Sequence, residues 1–133
     1  MLTRRTFHIL MLLAFALASS ASGQQSGMED REAARLYMLA ADQGSAIGQA
    51  GLGVFYEDGR GGLPQDDAQA VVWYHKAADG GNAYAMAYLG YMYEKGRGGL
   101  PKDMAQALSW YHKAAALGDE TAQEALKRIG AKE

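Results

Sequence analysis

Along most of the chain, apolar side chains return every three or four positions. Short breaks rich in glycine, proline and acidic residues interrupt them. Spacing of i, i+3, i+4 and i+7 marks one face of an α-helix, whereas strict alternation would mark a strand. The pattern predicts six helices, at about 29–42, 46–57, 67–79, 83–95, 104–117 and 120–129, and offers no stretch that alternates long enough for a strand. The breaks carry start and stop signals of their own. Ser45, Asn82 and Asp119 can each accept the free amide hydrogens of a first helical turn. The glycine before each one, Gly44, Gly81 or Gly118, suits the left-handed residue that closes the preceding helix. In mid-unit Pro64 and Pro101 stop continuation, and Asp66 with Gln69, like Asp103 with Gln106, has the capping-box spacing.

These elements repeat with a period of 37 residues. Ser45–Gly81 and Asn82–Gly118 align without a gap and share 23 of 37 positions. The shared track includes Leu52-Gly53, Tyr56-Glu57, Gly59 through Pro64, and Trp73 through Ala78, with each copy 37 residues later. Ala33, Tyr37, Ala40-Ala41 and Gly44 match the second half of a unit, and Asp119–Ile129 the first half. Each unit reads as two antiparallel helices. In the second, Ala70, Trp73 and Ala77, or Ala107, Trp110 and Ala114, set a large ring between two methyl groups on one face. In the first, Ala50 and Gly53, or Ala87 and Gly90, invite a close backbone approach. So narrow an apolar face is buried only by stacking hairpins, which defines an all-α superhelical solenoid. Its incomplete ends leave Leu36, Leu126 and Ile129 as poorly covered edges.

The track Ala50-x-Leu52-Gly53-x-x-Tyr56-x-x-Gly59-x-Gly61-Gly62-x-x-x-Asp66-x-x-x-Ala70-x-x-Trp73-Tyr74-x-Lys76-Ala77-Ala78-x-x-Gly81, repeated from Ala87 to Gly118, resembles that of the Sel1-like repeat proteins. The resemblance implies a tetratricopeptide-like α-solenoid acting mainly as an adaptor for other proteins, often in the bacterial envelope. It also brings an alternative, because some cysteine-rich members are described as acting on or binding penicillin-like compounds. That alternative is an enzyme or binder acting on cell-wall fragments or such compounds. Those members carry a disulfide in each repeat, and this chain has no cysteine.

The amino terminus has the three parts of a secretory signal: Arg4 and Arg5, the apolar run Ile9 to Ala18, and the small residues Ser19 to Gly23. Cleavage is expected after Ala18 or Ala21, and the Arg4-Arg5 pair is also compatible with a twin-arginine route. The expected layout is therefore a signal peptide at 1–21, a flexible linker at 22–28, a half repeat at 29–44, repeats at 45–81 and 82–118, and a half repeat or cap at 119–133. A periplasmic or secreted location follows, with no stable membrane span once the signal is removed, since a span needs about 20 apolar residues.

The chain's 133 residues suit one compact unit and carry a formal charge of -2. Loss of residues 1–21 takes Arg4 and Arg5 away and leaves eleven basic against fifteen acidic side chains, or -4. Such a balance does not suit phosphate neutralisation, so nucleic acid is not an expected partner.

Candidate chemistry is sparse. His75 and His112 fall at the same unit position, about 10 Å apart in stacked hairpins, too far to share a zinc ion. Gly59-Arg60-Gly61-Gly62 and its copy at 96–99 look like anion nests but follow a helix and lack the phosphate-loop ending, so Arg60 and Arg97 are weaker candidates for an anion or carboxylate contact. No serine or cysteine nucleophile stands near a histidine in the pattern. Neither a catalytic residue, a cofactor nor a metal is expected. The differences between the copies say more. Ile47, Gly51 and Val54 become Tyr84, Tyr88 and Tyr91, while Gln49 and Phe55 become Met86 and Met92. The three tyrosines lie at i, i+4 and i+7, hence on one helical face. Tyr and Met suit a partner-binding surface, so Tyr84, Met86, Tyr88, Tyr91 and Met92 form the candidate site for another envelope protein or a peptide. A self-association contact and ordinary core packing are the other readings of the same face.

Overall fold

The computed structural model describes residues 27–130. Six helices follow one another: α1 at 27–42, α2 Ala46–Asp58, α3 Asp67–Asp79, α4 Ala83–Lys95, α5 Met104–Ala116 and α6 Glu120–Gly130. There is no strand among the described residues. The expected signal at 1–21 and most of the linker at 22–28 lie outside them. The N-caps are those the sequence announces, but the capping boxes are not reciprocal, since the Asp66 and Asp103 amides donate to the Tyr56 and Tyr93 carbonyls. Ser45, Asn82 and Asp119 accept from the amides of Gly48, Ala85 and Ala122, and Asp66 and Asp103 from those of Gln69 and Gln106. Gly44, Gly81 and Gly118 take φ of 81°, 86° and 90°, a region that penalises any side chain.

Consecutive helices pack as antiparallel hairpins, α2 with α3 and α4 with α5, and α3 and α5 each lean on the helix that follows. Two cores result. One gathers Ala70, Val71, Tyr74, Ala77, Leu89 and Met92; the other gathers Ala87, Ala107, Tyr111, Ala114, Ala122 and Ile129. Alanine on both sides of each seam brings the helices close, so most of the buried apolar volume falls to a few large residues. Complete burial of Leu89 contributes roughly 1.5–3 kcal/mol.

The large ring at the centre of each second helix is not the expected one. Tyr74 and Tyr111 are buried, while Trp73 and Trp110 are half-buried, with the ammonium groups of Lys76 and Lys113 above their rings at 4.2 and 4.4 Å. A tyrosine fits because glycine faces it. A Cβ on Gly53 would stand 2.5 Å from the Tyr74 ring, and one on Gly90 would stand 2.7 Å from that of Tyr111. These glycines thus admit a ring, not a neighbouring backbone.

The glycine-rich loops are staples. At φ +66°, Gly61 and Gly98 press against the preceding second helix, where a Cβ would collide with Ala34 and the Asp30 carbonyl, or with Val71 and the Asp67 carbonyl. Arg60 then donates to Asp30 at 2.7 and 3.2 Å, and Arg97 to Asp67 at 3.1 Å. The anion-nest reading therefore gives way to a packing turn whose arginine reaches the previous hairpin. At the ends, Ile129 is buried and Leu126 half-buried, so α6 covers the carboxyl-terminal edge. Leu36 and Leu39 on α1 stay more than half exposed.

Candidate functional site

The first helices of successive units, α4 and α6, touch directly and frame a groove of about 610 Å³. One wall is the tyrosine stripe Tyr84, Tyr88 and Tyr91. The opposite wall presents Thr121, Ala125 and Arg128, which occupy the same register one 37-residue period later. Tyr111 from α5 lines the groove as well, with Glu57 at the end of α2, Arg97 from the loop, and Asp119 and Glu124 from the start of α6.

The floor is built from stacked rings. Tyr88 leans on buried Tyr74, centroids 5.1 Å apart and planes tilted 33°, and Tyr84 stacks on Tyr88 at 4.6 Å and 39°. One unit earlier the position of Tyr88 is Gly51, where a Cβ would lie 2.6 Å from Tyr37. There the ring of the previous hairpin fills the space. At Tyr74 the ring tucks over Gly53, and Tyr88 takes the freed place.

Polar groups beneath the rings are paired. Tyr74 donates to Glu57 Oε2 and Tyr111 to Glu94 Oε2, both at 2.8 Å. Arg128 reaches the same Glu94 oxygen at 2.7 Å, and Arg97 stands 3.6 Å from Glu57. Hydrogen bonding from Arg128 holds the Glu94 carboxyl down at about 2, with Tyr111 helping and burial opposing. Burial, reinforced by Glu57 and Glu94 respectively, pushes the Tyr74 and Tyr111 hydroxyls above the usual phenol range. Burial raises Tyr84 too, with Tyr88 the next cause. The three phenols are therefore neutral donors at ordinary pH.

The structure brings together part of the expected set. Tyr84, Tyr88, Tyr91 and Arg97 line the groove. Met92 does not belong to a surface: it is fully buried in line with Ala85 and Leu89, at i, i+4 and i+7 on the inward face of α4. Met86 is half-buried against both cores. At about 100° per residue it points to nearly the opposite side of the helix from Tyr84. Arg60 lies outside the groove, engaged by Asp30 and seated 5.0 Å over the Phe55 ring. His75 packs edge-on against Trp110 at 5.7 Å, away from the groove. Among the described residues no three His, Asp or Glu side chains converge to hold a metal ion. Glu57, Tyr111 and the α6 residues were not among the expected site residues; adding one period to Tyr84, Tyr88 and Tyr91 locates Thr121, Ala125 and Arg128.

The groove thus runs between equivalent first helices, lined by aromatic rings and edged by charge. Comparison with curated proteins yields no match. Among solved structures, the chain is similar to a Sel1 repeat protein from Oxalobacter formigenes, with 40% identity and a TM-score of 0.64 over 69% of this chain and 37% of that one. The chain thus spans little more than a third of that protein's length. It is also similar to cysteine-rich protein B of Helicobacter pylori, with 31% identity and a TM-score of 0.64 over 68% of this chain and 67% of that one. Sel1 repeat proteins are adaptors in protein–protein interaction. The Sel1 repeat model matches residues 13–45, 46–82 and 83–119, its first segment beginning upstream of the half repeat expected at 29–44. With three matched segments over most of its length, the chain belongs to the Sel1 repeat family.

Proposed function

We propose that this protein is an exported adaptor of the bacterial envelope that holds a segment of another protein in the groove between α4 and α6. One observation carries the reading: exposed Tyr84 stacks on half-buried Tyr88 along a groove whose buried polar groups are already paired. Such a surface offers large rigid area and phenol donors, and no buried polar group among the described residues is left unsatisfied beneath it. The lining holds no histidine beside its one aliphatic hydroxyl, Thr121, so no histidine-activated hydroxyl nucleophile is assembled there. Export rests on Arg4, Arg5 and the apolar run Ile9–Ala18, and a periplasmic location follows from it. Among the described residues no helix is long and apolar enough to cross a membrane.

Site-specific photocrosslinking tests the groove. A photoreactive side chain replaces Tyr84 in one sample and exposed Val72 on α3 in another, and both are irradiated in envelope extract. A partner captured from position 84 and absent from position 72 supports the reading, and equal capture from both contradicts it. Fractionation of cells that carry the chain with and without residues 1–21 tests export separately.

A further inference from the structure

The charge around the groove is lopsided. Glu57, Asp119 and Glu124 line it, and Asp67 and Glu94 stand behind its two arginines. Against these five carboxylates the structure sets Arg97, Arg128 and Lys95, and each of the three is already held in an ion pair with Glu57, Asp67 or Glu94. Glu124 is exposed and forms no ion pair among the described residues. A groove with unspent negative charge and low-dielectric aromatic walls concentrates cations.

The aromatic side chains point the same way. Among the described residues the fold leaves two tyrosines exposed, Tyr84 and Tyr91, and no Trp or Phe. The Arg97 guanidinium stands 5.8 Å over the Tyr91 ring, much as Lys76 covers Trp73 and Lys113 covers Trp110. Among the described residues Tyr84 carries no such cation, and its ring is held in place by a 4.6 Å stack on Tyr88. A ring face beside an unpaired carboxylate such as Glu124 attracts a guanidinium or ammonium group, worth about 0.5–2 kcal/mol depending on desolvation.

Building on the groove reading, we propose that the α4–α6 groove recognises a basic peptide segment of its partner, with one Arg or Lys side chain lying over Tyr84 and its charge met by Glu124. The internal arginines fix the opposite end. Arg128 and Arg97 hold their own carboxylates and repel further cations there, so the basic side chain has one register in the groove. An acidic segment meets repulsion along the α6 rim.

The test uses the purified protein and three acetylated, amidated peptides: one of alternating leucine and arginine, a twin with neutral citrulline in place of arginine, and a twin with glutamate. Titration calorimetry is expected to show the arginine peptide binding about tenfold tighter than the citrulline twin, weakening as salt rises, and the glutamate twin not binding. Tyr84→Ala and Glu124→Gln each remove the difference while circular dichroism stays unchanged. Glu120→Gln, an equal change of charge on α6 outside the groove, leaves it intact. Equal affinity for the arginine and citrulline peptides overturns the proposal, as does an equal loss in Glu120→Gln or no binding by any of the three. The crosslink from position 84 does not depend on the partner's charge, so it survives failure of this proposal and falls only with the adaptor reading itself.

Discussion

The Tyr111 hydroxyl donates a 2.8 Å hydrogen bond to Glu94, and Tyr74 makes the same bond to Glu57 one repeat earlier. Each joins the middle of a second helix to the end of its own first helix. The pair lets a tyrosine occupy the hairpin core, because ring and hydroxyl are both satisfied there. Around Glu94 the arrangement is tighter, since Arg128 of the following helix reaches the same oxygen at 2.7 Å and ties α6 to α4.

That geometry gives stability a dependence on acid. The Glu94 carboxyl is held down at about 2 in the fold against its ordinary value of 4.5, so the folded state favours the ionised form. The contribution is fully present above about 4.5 and is lost as pH falls from there through about 2. Thermal unfolding followed over that window is expected to fall more steeply for the wild type than for Glu94→Gln, which has no charge to lose. Parallel curves for the two proteins would show that Glu94 has no part in the acid response.

A second prediction separates two kinds of glycine in one loop. Gly98 and Gly99 both have positive φ, 66° and 78°. A Cβ on Gly98 would strike Val71 and the Asp67 carbonyl, whereas one on Gly99 has open space within 4 Å. Gly99→Ala is expected to cost about 1–2 kcal/mol from backbone strain alone. Gly98→Ala adds steric overlap and pushes the loop off α3, so its loss in chemical denaturation is the larger. Equal losses would mean that the loop does not lean on the preceding hairpin.

The contrast between these glycines marks what the sequence makes legible. Helix ends and caps rest on local chemistry, and Ser45, Asn82 and Asp119 do what such residues do anywhere. Burial of Tyr74 in place of Trp73 depends on Gly53, 21 positions away and on another helix, so spacing within α3 does not reveal it. Half of the groove is readable from the differences between copies at Tyr84, Tyr88 and Tyr91. The facing wall is readable only when the same register is carried into the third copy, to Thr121, Ala125 and Arg128. Met92 misleads because its chemistry suits a surface while its phase on α4 is that of Ala85 and Leu89.

A third prediction concerns the ring stack. Gly53→Ala sets a methyl group 2.5 Å from the Tyr74 ring, which also supports Tyr88. The ring has to move, at about 1–3 kcal/mol, and the groove floor moves with it. The variant is expected to lose both melting temperature and crosslinking from position 84. Gly90→Ala disturbs Tyr111 in the same way at 2.7 Å and tests the opposite side of the floor.

The last prediction sets Met92 against Tyr84, eight positions apart on α4 and opposite in role. Met92 has no exposed surface, and its truncation to alanine opens a cavity in the first core. The cost is about 2–5 kcal/mol. In a unit of this size each kcal/mol lowers the melting temperature by about 4–8 °C. Tyr84 is 42% exposed and gives up much less on truncation, chiefly its stack on Tyr88. Tyr84→Ala is therefore expected to melt within a few degrees of the wild type yet lose its partner, while Met92→Leu keeps both fold and binding. A Tyr84→Ala variant that melts as low as Met92→Ala would assign the tyrosine stripe to the core and remove the groove as a binding surface.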